Sequence, residues 1–594
     1  MRDVLSKRAL YPLMVLVLMA SVVAGCQAAP SRSAPASDDW SRGVRTGTAC
    51  INSRVAMVVD EDGQGVHLLW AAEDEAEQQI LRYAHLDAGG KPIAEGDVDV
   101  AGVRPNQPEL VLDASGGLHA TWIARDGEIY RLYHALLDAS GRLTAEPALI
   151  SPPDVPAHSH TSISSPDGHI EVFWGAIEGP EPGLYHARIA ADGSLLRPSQ
   201  PLGMVGFDPS AARARDGSLH LVWKGIPDTG RQSINYGVWD AASDAVTGAH
   251  EIVAFGVPTG LSSHRPALGI AQGRAYVFWA LERRGGGLAP PSAESSYVSF
   301  PLGNPQEAGS PRDVVIPEEN RPTYRTVSSA YHVNGLASAE GASASTFVYL
   351  PSAVTSEQDQ LATAFAVQIS GRTKSIVQVV LALWADGEMV GYQIAGQTDS
   401  ISLRPSLKVD TEGDLHLNWI DTAGFGRYAV YYAATTPEAR QNLNRLGADD
   451  VMAALFGVAW GLAQAASFFP IALVWFFPPL VVLALYAFIR AEDSLERVGS
   501  RVMLAVGGLL YIASKYVFRP NWLSALPLPR GTPAGLANAL LYLAPLLITG
   551  IAVVLTWLFV RRRPYVSLLP TFGVFAVSDA LLTLLVYVPG ILAE

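Results

Sequence analysis

Cysteine is nearly absent from this sequence, with two in 594 residues, Cys26 and Cys50. A disulfide framework is thereby excluded as the source of stability, and the fold must rest on apolar burial. Basic residues are also in deficit, 42 Lys and Arg against 56 Asp and Glu, and the deficit is uneven. The last 144 residues carry a net +4 and residues 1–26 a net +2, so the overall −14 conceals −20 on residues 27–450. A surface this acidic repels nucleic acid and anionic headgroups, which excludes both as partners of the soluble part. Missing too, in any fitting context, are a P-loop, a nucleotide fingerprint, a zinc-hydrolase helix and a nucleophile elbow. No catalytic residue, metal ligand set or cofactor is assigned.

The strongly apolar runs lie at the two ends of the chain. Residues 1–26 read as Arg2, Lys7 and Arg8, then an apolar run from Leu10 to Val23, then small residues before Cys26. This is the pattern of a secretory signal. The ending Val23-Ala24-Gly25-Cys26 resembles the bacterial lipobox, which implies lipidation of Cys26 and leaves Cys50 without a mate. An uncleaved N-terminal anchor is the alternative, and either one exports the domain behind it. Residues 27–39, rich in Ala, Pro and Ser, read as a flexible tether with a reach of about 20 Å. Toward the C-terminus, membrane spans are expected near 469–489, 502–518, 534–560 and 566–592. With four spans and the preceding domain outside, Arg490, Arg497, Arg501 and Arg561–Arg563 fall in the cytoplasm, while Arg519 and Arg530 fall outside. A fifth span would invert that balance, so 437–468 is taken as a linker and an interfacial helix containing Trp460.

The middle of the chain is a repeat. DEDGQGVHLLW (60–70), DASGGLHATW (113–122), SPDGHIEVFW (165–174), ARDGSLHLVW (214–223) and DTEGDLHLNW (410–419) share one frame, with AQGRAYVFW (271–279) a worn copy. Trp70, Trp122, Trp174, Trp223 and Trp279 stand 52, 52, 49 and 56 residues apart. Each unit parses into four short strands joined by Asp and Gly turns, and both faces of the Trp strand carry apolar residues, as a sheet sandwiched between sheets requires. About fifty residues per four-stranded unit is the period of a propeller blade. The expected fold is therefore an all-β propeller over 40–436 followed by an α-helical transmembrane bundle of about four helices over 469–594. Seven blades are expected if TFVYLPS (346–352) is the degenerate Trp strand, eight if VVLALW (379–384) heads its own blade, and six is the lower bound. The last unit stops three strands in after YAVYYAATT, and the stretch from Trp40 to Thr48 is the expected donor of its outer strand.

The pattern seen as PELVLDASGGLHATW and PSLKVDTEGDLHLNW resembles the repeats of bacterial propellers grouped with the sialidase-like type, and it covers roughly residues 40–436. The chain departs from the sialidase Asp-box, because here the Asp turn precedes the Trp strand. What the resemblance implies is an arginine clamp for a carboxylate, and Arg104, Arg265 and Arg404, each before a Pro, are the ligand-binding candidates.

Other candidates read more simply as structure. His67, His119, His220 and His416 share one frame position, but blades about 10 Å apart cannot place their imidazoles on one metal, and Glu171 interrupts the series. His158 and His160, with Asp154, make an incomplete metal set. Asp60, Asp113 and Asp410 are expected to cap their own turns. The insertions 283–296 and 303–345 are either binding loops or disordered segments. Asp579, near the centre of the last span, should face the bundle and pair with Thr549 or Tyr511. These readings lead to a membrane protein, integral and lipid-anchored, whose propeller is a binding, receptor or scaffold module for an extracytoplasmic protein or glycan. A sialidase-like glycoside hydrolase is the alternative.

Overall fold

A computed structural model describes residues 32–592 apart from 34–35, 51–52, 62, 227–229, 284–291, 320–321, 343–344, 346, 356–359, 371–374, 399, 424–426, 491–492, 519–533, 562 and 564; for 448–449, 453–471, 534–538, 541–542 and 588–592 it describes the backbone alone. The signal sequence and Cys26 lie outside the described residues, as does most of the loop 283–296.

The described strands form a seven-bladed propeller. From the axis outward, blade 1 is Val55–Val59, Gly65–Glu73, Gln79–Asp87 and Pro92–Val98; blade 2 is Val103–Leu112, Leu118–Asp126, Ile129–Leu137 and Ala148–Leu149. Blade 3 is Ser159–Ser164, Ile170–Ala176, Gly183–Ile189 and Leu195–Pro201; blade 4 is Phe207–Arg213, Leu219–Lys224, Arg231–Asp240 and Ala245–Gly256. Blade 5 splits its inner strand into Leu261–Ser263 and Ala267–Ala271, followed by Arg274–Arg283, Ser292–Pro301 and Arg312–Asp313. Blade 6 is Val348–Val354, Leu361–Ser370, Ser375–Ala385 and Glu388–Gly396. Blade 7 takes Ser402–Val409, Leu415–Thr422 and Tyr428–Ala434 from the end of the domain and Val44–Ala49 from its start, paired antiparallel from Val44–Tyr432 to Ala49–Tyr428. The ring is thus closed by the stretch expected to close it.

Blade 6 shows why the repeat fades there. Val348–Ser352 of TFVYLPS lie in its inner strand, Val348–Val354, not in its Trp strand as expected; the second strand is LATAFAVQIS, with Phe365 in the frame position of tryptophan, and VVLALW belongs to the third strand. Trp384 on that third strand and Phe365 fill the same cluster between blades 5 and 6. The count of seven holds because one aromatic replaced another across a strand pair.

Apolar clusters lie between every neighbouring pair of blades, as between blades 7 and 1 (Val66, Leu68, Trp70, Val430) or 1 and 2 (Leu69, Leu118, Trp122). The second strands are buried on both faces, which stabilises the domain by apolar burial, and Cys50, the one cysteine among the described residues, is free. The described parts of 32–41 and of the insertion 303–345 also pack. Trp40, Tyr331, Val333 and Leu336 are buried together beside blades 6 and 7, and Asp39 accepts from Asn334 N and Nδ2, Gly335 N and Gln393 Nε2. The end of the expected tether is therefore fixed in place, and the insertion adds its apolar residues to the core of blades 5, 6 and 7 where an open binding loop or disorder was expected.

A short helix α1 (Pro437–Leu443), capped by Thr436, ends this unit. The second unit holds α2 (Ala448–Arg490), α3 (Val498–Val517), α4 (Ala534–Arg561) and α5 (Leu568–Leu592). The expected boundary between an interfacial helix and a first span at 468/469 is not a break: both are one continuous α2. Among the described residues, Ala472–Arg490, Leu543–Arg561 and Leu568–Tyr587 are long and apolar enough to cross a membrane. Helix α3, expected as a fourth span, carries Arg501 and Lys515 and is not among them.

Candidate functional site

Strand register aligns one residue at the start of each inner strand: Arg54, Gln107, Ser159, Asp208, Arg265, Leu350 and Arg404. In five of the seven the next residue is proline, which cannot donate to a ladder. The inner strand therefore bulges in blades 2, 4, 6 and 7, and Gln107, Asp208, Leu350 and Arg404 adopt φ of 49°, 53°, 51° and 53°. Four non-glycine residues in left-handed backbone at one ring position are a concentration of strain of the kind that accumulates where a protein aims side chains at a ligand.

That ring opens onto an axial cavity of about 310 Å³, lined by Arg54, Arg265, Arg404 and Lys408, with Glu109 its one carboxylate. Thr161, Ser162, Ser210, Ser352 and Ser406 add hydroxyl groups to its wall. Arg265 of blade 5 reaches across to blades 2 and 3, donating to Glu109 Oε1 at 2.9 Å and His160 O at 2.8 Å, and Glu109 Oε2 accepts from Ser162 N at 2.7 Å. Burial pushes Glu109 upward, but Arg265 and His160 outweigh it and hold the carboxyl below its usual range. Burial and the neighbouring Arg265 and Arg404 lower Arg54 to about 10. Among the described residues the Arg54 guanidinium meets no hydrogen-bond or ion-pair partner, while its carbonyl accepts from Ser53 Oγ. The cavity lining thus holds four cationic side chains and one carboxylate, with Asp208 of the same ring acting on Arg54 and Arg265 from beside it.

Beside the ring, Tyr349 Oη donates to Glu282 Oε2 at 2.9 Å, and His264 Nε2 lies 3.0 Å from the same oxygen. Burial, opposed by Glu282 and reinforced by Arg54 and Arg404, lowers His264 to about 4, and burial with Glu282 pushes the Tyr349 phenol up. Lys224 is buried on Asp208 at 2.9 Å and over the Phe207 ring.

No family model matches the sequence, and no curated protein matches it. Among solved structures the fold is similar to the polysaccharide lyase Uly1, at 9% identity and a TM-score of 0.39 over 65% of this chain and 90% of that one. It is similar to the polysaccharide lyase PL25-Ulvanlyase, at 9% identity and a TM-score of 0.40 over 68% of this chain and 99% of that one. A neuraminidase-like protein of A/little yellow-shouldered bat is similar at 10% identity and a TM-score of 0.31 over 56% of this chain and 94% of that one. These likenesses concern the propeller fold.

Of the three arginines singled out in the sequence, the structure brings Arg265 and Arg404 to the cavity and leaves Arg104 outside its lining. Arg104 precedes Pro105, but the ring residue of blade 2 is Gln107, three positions on. Arg54 takes the third place, and no proline marks it because Val55 follows. His158 and His160 do not converge: His158 Nε2 lies 3.9 Å from Asp208, while His160 Nε2 meets Thr121 Oγ1 at 3.0 Å.

The frame histidines are used inside their own blades. His416 Nδ1 meets Tyr432 Oη at 2.8 Å and its Nε2 lies 3.3 Å from Asp410; His119 joins His134 and Asp113 the same way; His220 joins Tyr236 and Ser218. In blade 3 the roles are exchanged, Glu171 accepting from His186 at 2.6 Å. Asp113 and Asp410 cap their turns as expected, with Oδ1 accepting from Ser115 N and Gly117 N, and from Glu412 N and Asp414 N.

In the helical unit Asp579 is fully buried and saturated. Its Oδ1 accepts from Thr549 Oγ1 at 2.8 Å, and its Oδ2 accepts from Tyr511 Oη at 3.0 Å and from Lys515 Nζ at 2.7 Å. Thr549 and Tyr511 are the partners read from the sequence; Lys515, on the face of α3 turned to α5, was the one missed.

Proposed function

We propose that this chain is a membrane-anchored binding protein whose extracytoplasmic propeller holds an anionic saccharide by a carboxylate or sulfate group in the axial pocket. One observation carries the reading: three arginines and a lysine converge on a 310 Å³ cavity with a single carboxylate among them, in a domain whose net charge is strongly negative. Guanidinium groups bind carboxylate and sulfate through paired, charge-assisted hydrogen bonds, and the serine row suits sugar hydroxyls. The apolar C-terminal helices, and lipid on Cys26, supply the anchorage, with the basic connectors on the cytoplasmic side.

Full-length protein in detergent should be retained on polygalacturonate beads, and Arg54→Ala should weaken retention by about 10- to 100-fold, as loss of a charge-assisted contact does. Arg104→Ala should leave retention unchanged. Equal retention of the two variants would rule the pocket out as the binding site.

A glycoside hydrolase is the second reading, favoured by the Tyr349–Glu282 pair beside the arginines. Binding is preferred because Tyr349 is only 5% exposed and burial holds its phenol protonated. Release of 4-nitrophenol from acidic-sugar glycosides, abolished by Tyr349→Phe, would reverse that preference.

A further inference from the structure

Blade 1 departs from the repeat in two ways at once. Its turn after the inner strand is one residue longer: Asp60 N bonds Gly65 O, whereas Asp113 N bonds Gly117 O and Asp410 N bonds Asp414 O. The extra residue lifts the Asp60 carboxylate toward solvent, to 33% exposure, against 0% for Asp113 and 3% for Asp410. The second departure is His85. Directly opposite the frame residue, the other blades place Leu136, Arg188, Val238, Ser299, Leu383 and Ala434. Blade 1 places a second imidazole, stacked on His67 at 4.1 Å between ring centroids.

Nitrogen and oxygen atoms of Asp60, His67 and His85 lie within 4.8 Å of one another. Both Asp60 Oδ2 and His85 Nε2 point into the space beside the Gly65 Cα, where a Cβ would stand 2.1 and 2.7 Å from them. Tyr83 Oη donates to Ala139 O at 3.1 Å and meets His67 Nδ1 at 2.5 Å, so that His67 Nε2 is turned to Asp60 Oδ1 at 3.0 Å. In blade 7, among the described residues, Tyr432 Oη meets His416 alone, and His416 Nε2 lies 3.3 Å from Asp410.

We propose that Asp60, His67 and His85 bind one divalent transition-metal ion of the zinc class, with water in the fourth position. One carboxylate oxygen and two imidazole nitrogens suit that class. Tetrahedral zinc with ligands at about 2.0–2.1 Å sets them roughly 3.3 Å apart, close to the spacing already present between Asp60 and His67. Tyr83, held by Ala139, orients His67 in the manner of outer-shell partners at metal sites. The inner strand Val55–Val59 separates this site from Arg54, so it is independent of the axial pocket.

The test uses tag-free, full-length protein in detergent, stripped with chelator and titrated with CoCl2 and then with ZnCl2. One equivalent of Co2+ should give the intense visible absorption of tetrahedral coordination, displaced by Zn2+. His85→Leu, which installs the blade 2 residue, should weaken Zn2+ binding by about 100-fold or more while leaving the far-UV spectrum and thermal transition of the metal-free protein unchanged. Asp60→Asn should act likewise, and Asp113→Asn should not. Weak octahedral absorption alone, or unchanged Zn2+ affinity in His85→Leu, would overturn the proposal.

Discussion

Buried imidazoles tie this propeller to neutral pH. Burial, with His119 adding, lowers His134 to about 3; burial lowers His160 and His264 to about 4 against the pull of Glu109 and Glu282. In the unfolded chain each titrates near 6.5, so between about 6.5 and 4 the unfolded state binds more protons than the folded one. Stability is full above that window and falls as pH is lowered through it, by up to about 1.4 kcal/mol per pH unit for each such site. Glu109, Asp208 and Glu171, held below their usual range, extend the loss further into acid. Thermal melts of the full chain from pH 7.5 to 4 should show a steady fall in Tm. A flat profile would mean these histidines are already charged in the folded protein.

At the scale of elements, closure rests on a strand that crowds two tryptophans. A Cβ at Gly47 would stand 2.6 Å from Trp70 Cζ2, and one at Gly43 would stand 2.5 Å from Trp419 Cη2. Gly47→Val should therefore destabilise the propeller by about 1–3 kcal/mol, the range for overpacked cores, read as a lower midpoint in denaturant. Across α3, α4 and α5 the Lys515–Asp579 pair predicts an asymmetric response. Lys515→Met leaves a buried carboxylate without its cation and should cost about 3–5 kcal/mol, while Lys515→Met with Asp579→Leu should recover much of it. Unfolding of the full chain in mixed micelles measures both. Closure and blade number were legible because periodic Asp, Gly and Trp mark each turn and strand. Blade 6 was misparsed because it keeps the shape of the frame while placing Phe365 where tryptophan usually stands. Arg265 and Arg404 were legible through the prolines behind them, which interrupt the inner strand of blade 5 and bulge that of blade 7. Arg54 and Glu109 were not, because only the pairing register shows which residues of different blades meet at the axis.

For the whole molecule, the division of charge matches a division of labour. An acidic propeller carries a cationic pocket, and a separate helical unit holds three apolar helices with arginines in the connectors. The proposed address predicts that protease added to whole spheroplasts will degrade the propeller and spare the basic connectors; the opposite pattern would reverse the orientation. The pocket itself is tested most directly by calorimetric titration of the full-length protein with glucuronate and, in parallel, with glucose, two sugars that differ only at C6. A cationic pocket predicts saturable binding of glucuronate that weakens as salt rises, and no measurable binding of glucose. Equal affinity for the two sugars, or no binding of either, would contradict it.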